Sequence, residues 1–568
     1  MNAKWRFWCA LGLGLLLPRA AWAATLYVAP TGSDQAAGTE AAPLASMAQA
    51  QTKAKAGDTV YFRAGTYAYS KGTTTCSSGT ATISGVVLDK DGADGSPINY
   101  FAYPGEAPIF DFDGIRDSCR IKGILVSADY IHLKGLEIKG VRQNNDLNHE
   151  SWGVWNQGSH NTFEALNVHH IMGAGIFIQK GSGNLVLNCD SHHNLDEHTS
   201  NGAGESADGF GCHVGAGETG NVIRGCRAWW NADDGYDFIN ADAACTVEYS
   251  WAWFNGYEPD TMDSIGNGNG FKGGGYGADP STFPATPAQH SVRFCLAFSN
   301  KAAGFYANHH PISELFYNNT SYGNHPDFNM LGMNAAGADI TVGVYRNNIA
   351  LGGTLFSNRN AADEVSNSWT LGGITITEAD FQSVATTGMD APRQADGSLP
   401  VLPNFRLAEN SDLIDKGVDL KFPFAGAAPD LGAFEVGLEP PVVVGGAGNG
   451  GAASAGMPTG GTAGNVGGAS LGGSSGNGAG GLFGNDGGSV ALAGGPANQA
   501  GASQSSAGSG SSLPGAGSAA AANAATDDGG CSCRVGGLTE RAPPAALAAL
   551  SALLLRRRRA SRQVSRRV

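Results

Sequence analysis

The sequence predicts an all-β chain wound as a right-handed parallel β-helix, with an N-terminal capping helix and a Gly/Ala/Ser-rich linker after the solenoid. Three observations carry that reading. Short runs of alternating apolar and polar residues recur at intervals that reduce to one coil length. An asparagine returns at the same point of successive units, and a Gly-aromatic pair opens a second short run in several of them. Period-two patterning broken by turn residues, without helical periodicity, is the signature of stacked short strands, and a repeat of this size means a solenoid.

The first segment reads as a secretory leader, residues 1–23. Lys4 and Arg6 precede the apolar stretch Phe7 to Leu17, and Ala21-Trp-Ala23 is a small-x-small cleavage site, so the mature chain is expected to begin near Ala24. Export makes disulfides permissible; of the 10 cysteines, Cys76 and Cys119 are the expected bridge. Leu44 to Lys55 has helix-like composition and precedes a strand at Gly57–Arg63. A helix there would cover the exposed end of the solenoid.

The coils begin with the runs at Asn161, Asn184, Asn221, Cys245, His290 and Leu315. Their equivalent column is Leu166, Cys189, Cys226, Ser250, Cys295, Asn319 and then Asn347, with steps of 23, 37, 24, 45, 24 and 28 residues. A coil of about 24 residues accommodates the long steps if Leu195 to Ala207 is an insertion and the segments flanking Asn269–Lys272 supply the rest. The column cysteines are then small buried fillers rather than disulfide partners. Asn194, Asn231, Asn255, Asn300 and Asn324 follow the column residue at a constant offset, where stacked amides can bond along a ladder and tolerate left-handed geometry.

The folded region is expected over residues 24–439. Residues 440–528 are Gly, Ala, Ser and Asn with few apolar anchors, a flexible linker by composition. Residues 529–568 hold Cys531-Ser-Cys533, an apolar run from Ala542 to Leu555 and Arg556 to Arg559. The net charge of −15 leaves no basic face for nucleic acid.

Chemistry concentrates in three segments: Ser206-Ala-Asp208-Gly-Phe, Asn231-Ala-Asp233-Asp234-Gly-Tyr-Asp237 and Asn269-Gly-Phe-Lys272. The Gly-aromatic register aligns Asp208 with Asp234 and Asp237 with Lys272. Stacked at about 4.8 Å per rung, Asp208, Asp233, Asp234 and Asp237 would form an oxygen cage for Ca2+, whose charge would offset their mutual repulsion. A turn-forming Asp-Asp-Gly alone would mean little; the aligned Asp208 and Lys272 give it weight. A dication beside Lys272 favours the neutral amine, making it a Brønsted base, and Gly273 to Gly275 would leave room for a bulky ligand.

These residues, together with Leu26-Tyr-Val-Ala-Pro-Thr-Gly-Ser-Asp34, Gly57–Tyr67, Ser411–Gly417 and Asp430–Glu435, resemble the family 9 polysaccharide lyases, which are pectate lyases. The resemblance implies calcium-assisted β-elimination on polygalacturonate, an acidic polysaccharide, with Lys272 taking the C5 proton, 4,5-unsaturated products, and activity rising toward alkaline pH. Tyr306 falls in register with Lys272, where family members are more acidic or amide-rich; Tyr306 and Asn308 are read as substrate contacts. The C-terminal order of linker, cysteines, apolar run and arginines resembles myxo-type sorting tails, implying processing or membrane machinery and a secreted or surface-held protein; the chain is expected to be a monomer. Two other classes compete: a non-catalytic β-helix adhesin, which would not require Lys272, and a glycosidase whose carboxylates act without metal. Another uronate polymer as substrate is a third alternative.

Overall fold

The computed structural model describes residues 23–74, 81–143, 149–200, 202–277, 279–352 and 363–439. Residues 1–22 of the leader, Cys76, the linker and the C-terminal tail lie outside the described residues. The architecture is a right-handed parallel β-helix: successive coils contribute short strands to three long parallel sheets, of 12, 9 and 10 strands among the described residues. A small fourth sheet, joining His309–His310, Leu331–Met333 and Asp339–Thr341, includes an antiparallel pair that the repeat did not foretell. No helix among the described residues is long and apolar enough to cross a membrane.

The expected N-terminal helix is shorter than its composition suggested, Met47–Lys53. Ser46 caps it by accepting from the Gln49 amide, and Met47 and Ala50 close the end of the core with Val28 and Leu44. Gln51 anchors it, donating to the Val87 carbonyl at 3.1 Å and accepting from the Asp89 amide at 2.8 Å.

Inside the coils the Gly-aromatic pairs explain themselves. The aromatics Phe210, Tyr236, Phe271, Phe305 and Phe328 stack along the core with centroids 4.9, 4.6, 5.0 and 4.8 Å apart. The glycines before them face the asparagine ladder. A Cβ on Gly209, Gly235 or Gly270 would lie 2.6–2.7 Å from the next coil's glycine carbonyl and 2.9–3.0 Å from the amide nitrogen of Asn231, Asn255 or Asn300. Only glycine lets strand and ladder approach that closely.

The ladder itself is continuous. Asn194 donates to Asn231 (2.8 Å), Asn231 to Asn255 (3.0 Å), Asn255 to Asn300 (2.9 Å) and Asn300 to Asn324 (3.0 Å). The left-handed residues are not these asparagines, as their type had suggested, but the residues before them: His193, Trp230, Phe254 and Ser299, with φ between 51° and 55°. The side-chain carbonyl of each ladder asparagine from Asn231 to Asn324 must reach the backbone N–H of the asparagine one coil before it, except that Asn231 meets Asn194 through side chains alone. The neighbour before each asparagine takes the turn.

A similar one-residue shift corrects the cysteine column. After Asn319 its next member is Asn348, not Asn347: the Asn319 amide nitrogens meet Asn348 Oδ1 at 2.9 and 3.0 Å, while Asn347 takes the left-handed turn at φ 60°. Cys189, Cys226 and Cys295 are free and buried in that column. Cys212 and Cys245, in neighbouring strands of different sheets, form a disulfide that the column reading missed. Cys119 is disulfide-bonded, and its expected partner Cys76 is not among the described residues.

Residues 363–439 wrap the outer face of the ten-stranded sheet. Phe381, Met389, Phe405, Leu407, Leu413 and Leu431 cover Trp229, Trp251, Trp253, Leu296 and Phe298. Arg227 and Arg393 both clamp Asp190, at 2.7 and 2.6 Å. Burial pushes the Asp190 carboxyl up, but the two guanidinium groups outweigh it and bring the group to about 2.

Candidate active site

The outward column of the nine-stranded sheet runs Trp155, Phe177, Gly211, Asp237, Lys272, Tyr306, Asn329, each aligned with the next. Asp237 therefore sits beside Lys272 and Lys272 beside Tyr306, as the Gly-aromatic register implied. Lys272 Nζ lies 3.0 Å from Asp237 Oδ2 and 3.1 Å from Asp234 Oδ2.

Asp208 and Asp234 precede the glycine of their coils and are locked by a second side-chain ladder. Asp208 Oδ1 accepts from the Asp234 amide at 3.2 Å. Asp234 Oδ1 accepts from the Asn269 amide at 2.6 Å and its side chain at 2.8 Å, and Asn269 Oδ1 accepts from Ala303 N at 3.2 Å. Asp237 Oδ1 accepts from Ile239 N at 2.7 Å, and Asp233 Oδ1 from Asn267 N at 2.9 Å. The Oδ1 atoms are thus held by the fold. Asp234 Oδ2, though near Nζ, accepts no directed hydrogen bond from the described residues. Asn269 is the functional residue the sequence reading passed over; its place directly before the Gly-aromatic pair, where Asp208 and Asp234 also stand, was the available signal.

Asp208, Asp234 and Asp237 bring carboxylate oxygens within 4.8 Å of one another. Asp233 adjoins them and interacts electrostatically with Asp208 and Asp234. All four aspartates and Lys272 are at most 6 % exposed. Burial first, and then neighbouring carboxylates, hold Asp208 and Asp233 well above the usual carboxylate range; burial raises Asp234 against the pull of Lys272. Crowded, desolvated carboxylates with an unmatched oxygen fit a hard divalent cation, which would supply the missing positive charge.

Contrary to the expectation from the sequence, the glycine run does not widen the groove. A Cβ on Gly274 would fall 2.3 Å from Glu314 Oε1 and 2.7 Å from His310 Nδ1, and one on Gly275 would fall 2.1 Å from the Asn308 carbonyl. The interior, not a ligand, occupies that space. Asn308 is buried and donates to the Gly274 carbonyl at 2.7 Å. Tyr306 is partly exposed in the column, its hydroxyl 3.1 Å from His309 Nδ1.

The model of the Pel9A-like, right handed beta helix region matches residues 26–348. The chain is 35% identical over 422 residues to pectate lyase L of Dickeya chrysanthemi, covering 72% of this chain and 90% of that protein. It is 34% identical over 400 residues to pectate lyase PEL9 of Emericella nidulans, covering 66% and 90%. Among solved structures, a rhamnogalacturonan lyase superposes with a TM-score of 0.63 at 34% identity, covering 68% of this chain and 96% of that one. The crystal structure of pectate lyase Pel9A gives 0.60 at 34% identity, covering 72% and 96%. The chain belongs to the Pel9A-like right-handed β-helix family and is a polysaccharide lyase.

Proposed function

We propose that the chain is an exported pectate lyase that cleaves polygalacturonate by calcium-assisted β-elimination. The observation that carries this is the amine of Lys272 set between Asp234 Oδ2 and Asp237 Oδ2, beside the crowded Asp208. The named activity of the pectate lyase relatives supports the substrate class. Asp208, Asp233, Asp234 and Asp237 would hold Ca2+. Bound there, the ion would neutralise a uronate carboxylate and so ease loss of the adjacent carbon-bound proton.

Lys272 is the base. As a free amine it takes the C5 proton; the electron pair forms the C4–C5 double bond while the C4–O bond breaks, and the departing oxygen is protonated from solvent. Asp234 and Asp237 orient the amine, and Asn269 holds Asp234. The products are an unsaturated oligogalacturonide and a new reducing end. The leader and the tail make the chain secreted or held at the cell surface.

The similarity to a rhamnogalacturonan lyase structure favours one second reading: the same chemistry on another uronate polymer. A panel of polygalacturonate, rhamnogalacturonan and alginate, followed by ultraviolet absorbance of the unsaturated product with and without chelator, separates the two. Reducing ends without that absorbance would refute elimination altogether, and chelator-resistant turnover would refute the role of calcium.

A further inference from the structure

Two insertions interrupt the coil repeat, and the fold brings them together beside the acidic cage. The first, from Leu195 to Ala207, leads into Asp208; the second, from Gly256 to Gly268, leads into Asn269. Neither is needed to close a coil. Asp196 seats the first: its carbonyl accepts from the Gly204 amide at 2.7 Å and its Oδ1 from the Ser206 amide at 3.3 Å. The second closes on itself where Ile265 N donates to the Gly256 carbonyl at 2.9 Å. Lys301, on the following coil, clamps it by donating to the carbonyls of Ile265, at 2.9 Å, and of Gly266.

The insertions meet glycine to glycine. A Cβ on Gly204 would lie 2.6 Å from Ile265 Cγ1 and 2.9 Å from Gly266 N, and one on Gly266 would collide with the Gly204 and Ala232 carbonyl oxygens. Two residues without side chains allow that approach. It carries the half-buried Glu205 to Asn267, whose Nδ2 donates to Glu205 Oε2 at 3.0 Å. Lys301 also faces Glu205: burial raises this carboxyl, and the ammonium is the strongest influence drawing it back down.

The four aspartates differ in what holds them. Asp208 and Asp234 stand in the side-chain ladder that coil register dictates, and Asp237 is held by Ile239 N two residues on. Asp233 has no place in that ladder. Its Oδ1 depends on the backbone N–H of Asn267, 2.9 Å away on the second insertion. Asn267 therefore faces two ways, with its main chain to Asp233 and its side chain to Glu205.

We propose that Glu205 is a positioning residue for the cation site: through Asn267 it fixes Asp233, so the contact between the two insertions sets the calcium affinity of a cage whose other carboxylates are placed by the solenoid. Without Glu205 the Asn267 amide and Asp233 would have to be ordered when the ion binds, and that entropy would subtract from affinity. The role rests on the reading of the four aspartates as a calcium site, and it needs the hydrogen bond that Glu205 accepts rather than its charge.

The test is a calorimetric calcium titration of the chelator-treated chain, with the rate of unsaturated-product formation followed against calcium concentration. Glu205→Ala should weaken binding about 10–100-fold. Glu205→Gln, whose amide oxygen can still accept from Asn267, should bind as the wild type does. The rate lost in Glu205→Ala should largely return at saturating calcium, because Lys272 is untouched. Asn267→Ala should weaken binding similarly, and the double variant no further than either single one, since both remove the same contact. Unchanged affinity in Glu205→Ala, equal weakening in Glu205→Gln, or additive losses in the double variant overturns the proposal. A wild-type chain that binds no calcium overturns the calcium reading with it. Asn267→Ala, at a half-buried position, supplies the affinity readout should Glu205→Ala fold poorly.

Discussion

Two buried polar ladders run through neighbouring parts of the same coils, and they end differently. In the asparagine ladder from Asn194 to Asn324 the amides hand a donor from coil to coil, so the stack is neutral and satisfied. The acidic ladder of Asp208, Asp234 and Asn269 uses the same geometry, yet each carboxylate places only Oδ1 in it. The second oxygen of Asp234 stays outside the ladder: it lies 3.1 Å from the Lys272 amine yet accepts no directed hydrogen bond from the described residues. A satisfied ladder fixes a structure; an unsatisfied one, placed on the surface column beside an amine, waits for a ligand.

The contrast breaks most visibly at Lys272. Lys272→Ala should lower the rate of unsaturated-product formation about 1000-fold with calcium binding retained in a calorimetric titration. Lys272→Arg should be almost as poor, because a guanidinium stays charged. Wild-type rates in either variant would remove the assigned base. Next in size is the neutral ladder. Asn255→Ala strips the partners of Asn231 and Asn300 and should reduce unfolding free energy by about 3 kcal/mol in denaturant titrations; a change near zero would show that the ladder is not a stabilising stack.

The acidic ladder should respond with the opposite sign. Asp234→Asn should stabilise the chelator-treated protein by about 1–2 kcal/mol while abolishing the rise in melting temperature on adding calcium. If the variant is less stable without metal, the carboxylates are not frustrated. A pH-dependent effect lies in the insertion that leads to Asp208. Burial pushes Asp196 up to about 7. The folded state thus holds a proton that the unfolded chain releases near 4. Stability from this group is present at low pH and lost as pH rises from about 4 through 7, by on the order of 4 kcal/mol at most. Asp196→Asn should flatten that slope in melting curves taken across the same window.

Much of this was legible in the residues because the repeat transmits register. Gly235-Tyr236-Asp237 and Gly270-Phe271-Lys272 share a pattern that only stacking explains, and the alignment of Tyr306 with Lys272 followed from the next Gly-aromatic pair. Where the pattern was degenerate the reading slipped. Asn347-Asn348 offers two asparagines in a row, and the turn takes the first and the ladder the second. Other features rest on residues far apart in the chain. The space beside Gly274 is filled by Glu314 and His310, and Cys212 meets Cys245 between sheets. No local pattern announces such meetings, since they depend on how wide each coil closes.

The glycine column has a consequence for precision. Its members, from Gly123 through Gly304, lean on the carbonyl of the following coil so closely that a single methyl on each would fall within 3.0 Å of it. They act as a spacing gauge for the solenoid. The gap between Asp237 and Lys272 is inherited from that gauge rather than set by either side chain. Substitution to alanine in a coil remote from both should loosen their tolerance before it unfolds the chain.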